Sequence, residues 1–231
     1  MRLLISDKGN HMTESSGTVK IDYYTDVLCI WAWIAQLRVN ALGKEFGSRI
    51  DIIYRCVNVF GDALNKLDQL WQSRGGREAY AAHVHEVAGQ FDLTVHPDIW
   101  KEISPCSSLN AHLVIQAVAL TSPAHLSRTL FAIREAFFVS AKDISDFDTL
   151  IEIVSGVGVA AEDVRRHLGC GGAAARVMAD YQQAETLKLR GSPSFVLNEG
   201  RQILFGNVGY RVLHANVEEL LNKPAADASW C

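Results

Sequence analysis

Cys29 stands where an alternating segment, Val19-Lys20-Ile21-Asp22-Tyr23, gives way to an apolar one with helical spacing. It takes the first place of a C-x-x-C arrangement, and Ala32 holds the second. A sulfur at a helix start faces unpaired backbone N–H groups and the positive end of the helix dipole, both of which favour an anion. Helix starts lower a cysteine pKa from about 8.5 to about 3.5–7.5. A shift of two units is worth about 2.7 kcal/mol for the anion. The position therefore predicts a thiolate, the form that attacks disulfides and electrophiles. Without a second cysteine three residues on, a dithiol cycle cannot close within this motif.

The other chemistry-bearing residues are sparser. Cys56, Cys106, Cys170 and Cys231 are scattered, and an odd, widely spaced set of five does not form a disulfide framework. Cys56 and Cys170 read as structural, and Cys106 or Cys231 as a remote second thiol at most. No Cys/His pair has zinc spacing. His83 and His85 lie two apart, facing different sides of a helix, and read as solvated. A net charge of −4 gives no reason to expect nucleic acid or an anionic membrane as partner. No segment approaches the roughly 18 apolar residues needed to cross a bilayer. The amino-terminal Met1–Ile5 is too short for a secretory hydrophobic region, so a cytoplasmic location is expected.

The elements that must position Cys29 follow from periodicity. Residues 19–26 and 50–55 alternate or run apolar as strands, and 30–46 has helical spacing closed by Gly47, a βαβ unit with a right-handed crossover. From residue 62 to 189 the pattern turns helical almost throughout. Segments 64–71, 78–91, 109–120, 126–139, 147–155, 161–168 and 173–187 are separated by Pro97, Pro105, Pro123 and Gly169–Gly172. Asp146 or Ser145 suits a helix cap. Residues 194–197 and 202–205 then form a hairpin, and 212–221 a closing amphipathic helix. The order β-α-β, helices, β-β-α predicts an α/β domain in two pieces, 19–61 and 190–222, with an all-helical insertion at 62–189. Residues 1–18 and 223–231 read as disordered tails.

This order resembles the thioredoxin-like fold with a large helical insertion found in the DsbA family of thiol–disulfide oxidoreductases. Asp26-Val27-Leu28-Cys29-Ile30-Trp31-Ala32 is similar to the active-site start of its FrnE-like branch. Leu189-Arg190-Gly191-Ser192-Pro193-Ser194-Phe195 resembles the family's Gly-x-Pro-[Ser/Thr]-Phe stretch, whose proline is cis. Asn110-Ala111-His112 and Ala141-Lys142-Asp143-Ile144 resemble signposts of the insertion. Two departures stand out: Ala32 replaces the resolving cysteine and Ile30 the proline. Phe205-Gly206-Asn207 resembles the glutathione-binding turn of a related branch, the glutathione-dependent isomerases and kappa-class transferases. There a serine takes the place of Cys29, and here Val208-Gly209-Tyr210 intervene before Arg211.

The resemblance implies a catalytic Cys29 facing a cis Pro193, with Trp31, Ala32, Ser192, Pro193 and Asn207 as residues for substrate or glutathione. The Ser192 backbone would pair with an extended peptide or with glutathione, and Asn207 would meet a carboxylate at a helix start or serve as a plain turn residue. Trp31 and Trp33 fit either an apolar groove or the core. Asn110 and His112 either face the thiol or sit solvated at a helix start. The leading expectation is monothiol oxidoreductase activity on a small thiol or disulfide, with glutathione as cosubstrate. A glutathione-dependent isomerase or transferase acting on a small aromatic compound is the alternative, as is a non-catalytic peptide-binding member. The insertion offers a face for a possible homodimer.

Overall fold

The computed structural model describes residues 18–222. The tails read at either end, and Cys231 with them, fall outside these residues apart from Thr18.

Two strands, β1 (Val19–Thr25) and β2 (Ile50–Cys56), pair in parallel across the helix α1 (Ile30–Phe46). The helix stops at Gly47, whose φ of 55° lies in the left-handed region that glycine enters at least cost, and its N–H bonds to Gly43 O. Strands β3 (Ser194–Leu197) and β4 (Gln202–Phe205) complete a four-stranded sheet of order β2-β1-β3-β4. β3 runs antiparallel to β1 and to β4.

Alternation along β1 assigns its two faces. Val19, Ile21 and Tyr23 enter a core with Ala35, Val39, Leu42 and Phe46 of α1 and with Leu213, Val217 and Leu220 of α9 (Tyr210–Asn222). Tyr23 stacks on Phe195 with ring centroids 5.0 Å apart. Tyr24 points the other way, toward Ala184 of α8 (Gly172–Thr186). The sheet is thus a middle layer with α1 and α9 on one side and α8 on the other, the three-layer α/β arrangement.

Between β2 and β3 lie α2 (Ala63–Trp71), α3 (Gly76–Gly89), α4 (Leu109–Thr121), α5 (Leu126–Phe138), α6 (Phe147–Gly156), α7 (Ala161–Gly169) and α8. Each matches a helical segment expected from periodicity, with ends moved by two residues or fewer. Asp146 caps α6 through a 2.7 Å bond from Thr149 N–H. The largest apolar core takes Val27 and Leu28 from the β1–α1 turn and Ile30, Ala32 and Trp33 from the start of α1, together with Val84, Val114, Phe137, Phe138 and Leu150 of the helical segment. The start of α1 is therefore clamped between sheet and helices.

Candidate active site

The register of β1 against β3 builds the site. Tyr24 lies opposite Ser194, so two residues further along the antiparallel pair Asp26 falls opposite Ser192. Asp26 N–H accordingly donates to Ser192 Oγ at 2.8 Å. The chain then folds back in a turn, with Cys29 N–H on Asp26 O at 3.2 Å, and delivers Cys29 as the N-cap of α1. Its Sγ–H donates to Ser192 O at 3.1 Å, joining residues 163 positions apart. The Ser192–Pro193 bond is cis, as its sequence context predicts. An open cleft of about 230 Å³ runs along the same loop, lined by Arg190 to Ser194 and by Phe205 and Gly206.

The expected thiolate is corrected by the surroundings. Cys29 is only 6% exposed, and burial pushes its pKa up from the ordinary thiol value. The N–H of Ala32 opposes this, the charge of Asp26 adds to it, and Ser192 and the N–H of Trp31 pull it down. Desolvation of the anion outweighs the helix-start N–H groups. The contact to Ser192 O agrees, because a carbonyl oxygen accepts from a thiol and repels a thiolate.

The other residues singled out in the sequence separate. Ala32 is fully buried; it meets the sulfur through its backbone, while its carbonyl accepts the Tyr23 hydroxyl at 3.1 Å. Trp31 is half-buried, edge-on to Phe91 at 6.1 Å, and Trp33 is core, packed on Phe131 and Phe138. Asn207 is exposed and accepts from Arg38, which also donates to Val208 O at 2.8 Å. Arg38 lies nine residues beyond Cys29, about 13 Å along α1, so the structure does not bring Asn207 to the sulfur. Asn110 donates to Ser145 O. His112 is fully buried rather than solvated, since the first turn of α4 packs beneath Asp26. Cys56 is buried as expected, whereas Cys106 and Cys170 are exposed, so Cys170 is not a packed structural residue. His83 and His85 are half-buried, with His83 tilted against Trp71.

Sequence reasoning passed over a buried polar centre under the sulfur. Asp26 is fully buried; its Oδ2 accepts from Val59 N–H at 3.1 Å, Phe60 N–H at 2.8 Å and Ser108 Oγ at 2.9 Å. Its Oδ1 accepts from Leu28 N–H at 3.1 Å. Arg134 of α5, also fully buried, donates to Gln36 Oε1 and Thr25 Oγ1. Lys66 of α2 donates to Val59 O at 2.8 Å and lies over the Phe60 ring. Burial lowers its pKa, while the charges of Asp26 and Cys29 raise it. One signal was present: Asp26 is the lone carboxylate in the apolar run to Ile30, and buried carboxylates need donors. Among the described residues, no group of His, Cys, Asp and Glu is placed to hold a metal.

A thioredoxin-like sheet with a helical insertion, a cysteine at the β1–α1 junction and a cis proline opening β3 define the class of protein. The profile of the DSBA-like thioredoxin domain matches residues 20–218, and the chain belongs to that family. Among solved structures it is similar to the probable DsbA oxidoreductase SCO1869 of Streptomyces coelicolor. That likeness has a TM-score of 0.73 and 20% identity, and covers 92% of this chain and 94% of that one. It is also similar to the cytosolic disulfide reductase DsbM of Pseudomonas aeruginosa with GSH. There the TM-score is 0.70 and the identity 18%, over 88% of this chain and 100% of that one. At these identities the likeness establishes the fold. A curated relative, the ClpXP adapter protein SpxH of Halalkalibacterium halodurans, is 23% identical over 224 residues, covering 94% of this chain and 72% of that protein. No described helix is long and apolar enough to cross a membrane.

Proposed function

We propose that the protein is a cytoplasmic monothiol oxidoreductase, in which Cys29 exchanges with the disulfide of a small or peptidyl substrate and glutathione resolves the mixed disulfide. The observation that carries this reading is the meeting of Cys29 Sγ with Ser192 O at the cis prolyl bond, beside an open cleft and without a cysteine at position 32. Membership of the DSBA-like family supports thiol chemistry, and the likeness to DsbM with GSH supports glutathione as the thiol. In the cycle the Cys29 thiolate attacks one substrate sulfur and the other leaves as a thiol. Glutathione then attacks the mixed disulfide, regenerating Cys29 and leaving with the oxidised sulfur. The test is reduction of a glutathionylated peptide by the wild type and by Cys29→Ser. The wild type should turn over with glutathione and the variant should not; equal rates refute the reading.

One observation favours a second reading. Cys29 is buried, with its pKa raised, and hydrogen-bonded as a thiol. A non-catalytic protein that binds extended peptides along the Ser192–Pro193 loop needs no more than this. The resemblance to an adapter protein is consistent with it. Peptide binding that survives Cys29→Ser, without turnover by the wild type, selects this reading.

A further inference from the structure

Cys29 gives its proton to a carbonyl, which is not a base, so formation of a thiolate requires a different acceptor. Asp26, whose backbone carbonyl takes the Cys29 N–H in the turn, carries the carboxylate whose charge acts on the sulfur. Asp26 Oδ2 is filled by three donors, whereas Oδ1 takes one and keeps a lone pair on the side of His112. His112 Nε2 lies 3.8 Å from Oδ1 and has no hydrogen-bond partner of its own. Its Nδ1 is 2.7 Å from the hydroxyl of Tyr181. Tyr181, on α8, is half-buried. Carboxylate, imidazole and phenol therefore form a chain from the fully buried centre to the half-buried Tyr181 on α8.

We propose that His112 and Tyr181 are positioning residues that carry the Cys29 proton between Asp26 and solvent. The inference rests on the reading of Cys29 as a nucleophile. As the S–H bond breaks, its electron pair stays on sulfur and forms the new S–S bond. The substrate S–S bond breaks, and the leaving sulfur keeps that pair. The proton passes to Asp26 and on to His112 Nε2, across a 3.8 Å gap that a modest rotation closes. His112 gives its Nδ1 proton to the Tyr181 hydroxyl, which releases its own outward. A proton returning inward for the leaving sulfur reverses each step and restores the starting tautomer. The groups facing His112 are Asp26 from the β1–α1 turn, Arg134 from α5, Tyr181 from α8 and the Cys56 thiol, which donates to His112 O from β2. Burial, with the Arg134 charge, holds His112 toward the neutral form despite Asp26, as a two-way carrier needs.

The test follows the single-turnover reaction of Cys29 with 4,4′-dithiodipyridine by quenched flow, with the Cys29 peptide quantified by mass spectrometry. Tyr181→Phe and His112→Gln are compared with wild type from pH 6 to 9 in increasing concentrations of imidazole buffer. The expected result is a rate at least tenfold lower in each variant, restored in part by buffer while the wild type ignores it. Wild-type rates in Tyr181→Phe overturn the inference, as does a loss that buffer does not touch, which marks a purely structural role. Should His112→Gln fail to fold, Tyr181→Phe alone decides by the same criteria. A wild-type Cys29 that does not react at all defeats the reading of Cys29 as a nucleophile instead.

Discussion

The Ser108 hydroxyl donates to Asp26 Oδ2 at 2.9 Å, tying the residue three places before the cysteine to the start of a helix in the insertion. The same oxygen takes Val59 and Phe60 N–H, so one carboxylate holds the β1–α1 turn, the segment after β2 and the entry to α4 in fixed relation. The geometry of the sulfur depends on that clasp.

Replacing Asp26 with Asn puts an amide N–H₂ among donors. We expect a loss of about 3 kcal/mol, since each hydrogen bond to a buried charge is worth roughly 1.5–3 kcal/mol and some rearrangement is possible. Removing the charge also removes one of the causes that raise the Cys29 pKa, so the alkylation midpoint of Cys29 should fall. Urea unfolding and the pH dependence of iodoacetamide labelling measure the two effects. A midpoint that rises contradicts the assigned electrostatics.

Labelling of wild-type Cys29 should keep rising past pH 9, since burial holds the proton on the sulfur. Below that range the thiol form dominates and labelling should be slow. Cys106 and Cys170, exposed on the surface, serve as internal references in the same digest. If Cys29 labels faster than both at pH 7, the burial argument fails.

Ala32→Cys restores the second thiol of the motif in a fully buried position, three residues into the first turn of α1. Mild oxidation should then join it to Cys29, removing Cys29 from labelling and reducing the dependence of turnover on glutathione. Full labelling of Cys29 after oxidation would show that the buried site cannot admit a second sulfur.

His112 gives the stability a pH dependence whose sign is fixed. Burial lowers its folded pKa, so the unfolded chain takes up a proton near pH 6.5 while the folded one resists. Stability from this group is complete above about pH 6.5 and is lost as the pH falls below it. His112→Gln should lower stability at pH 7 and flatten the decline between pH 6.5 and 5. Parallel curves for the two proteins would remove His112 as the cause.

Periodicity was enough to place the strands and helices, because each is a local pattern of apolar residues, and the cysteine and proline were marked by their motifs. The polar centre was not legible. Asp26 meets its partners 33, 34 and 82 positions away, and Arg134 meets Gln36 and Thr25 across 98 and 109. No local spacing encodes such pairs. His112 looked like a solvated helix-start residue for the same reason: its burial depends on how α4 packs. The sulfur's proton affinity was misjudged because a helix start is a local feature, whereas desolvation depends on everything that covers it.

Asp180 on α8 takes the Cys56 N–H at 3.0 Å and pairs with Arg55 at 3.2 Å, while Arg55 also holds Asp22. A side chain thus stands where a further strand would bond at that end of β2, and β4 forms the opposite border, paired only to β3. Any polypeptide that lengthens this sheet by joining it sideways meets a plugged margin on one flank. The hairpin flank is where such growth would begin.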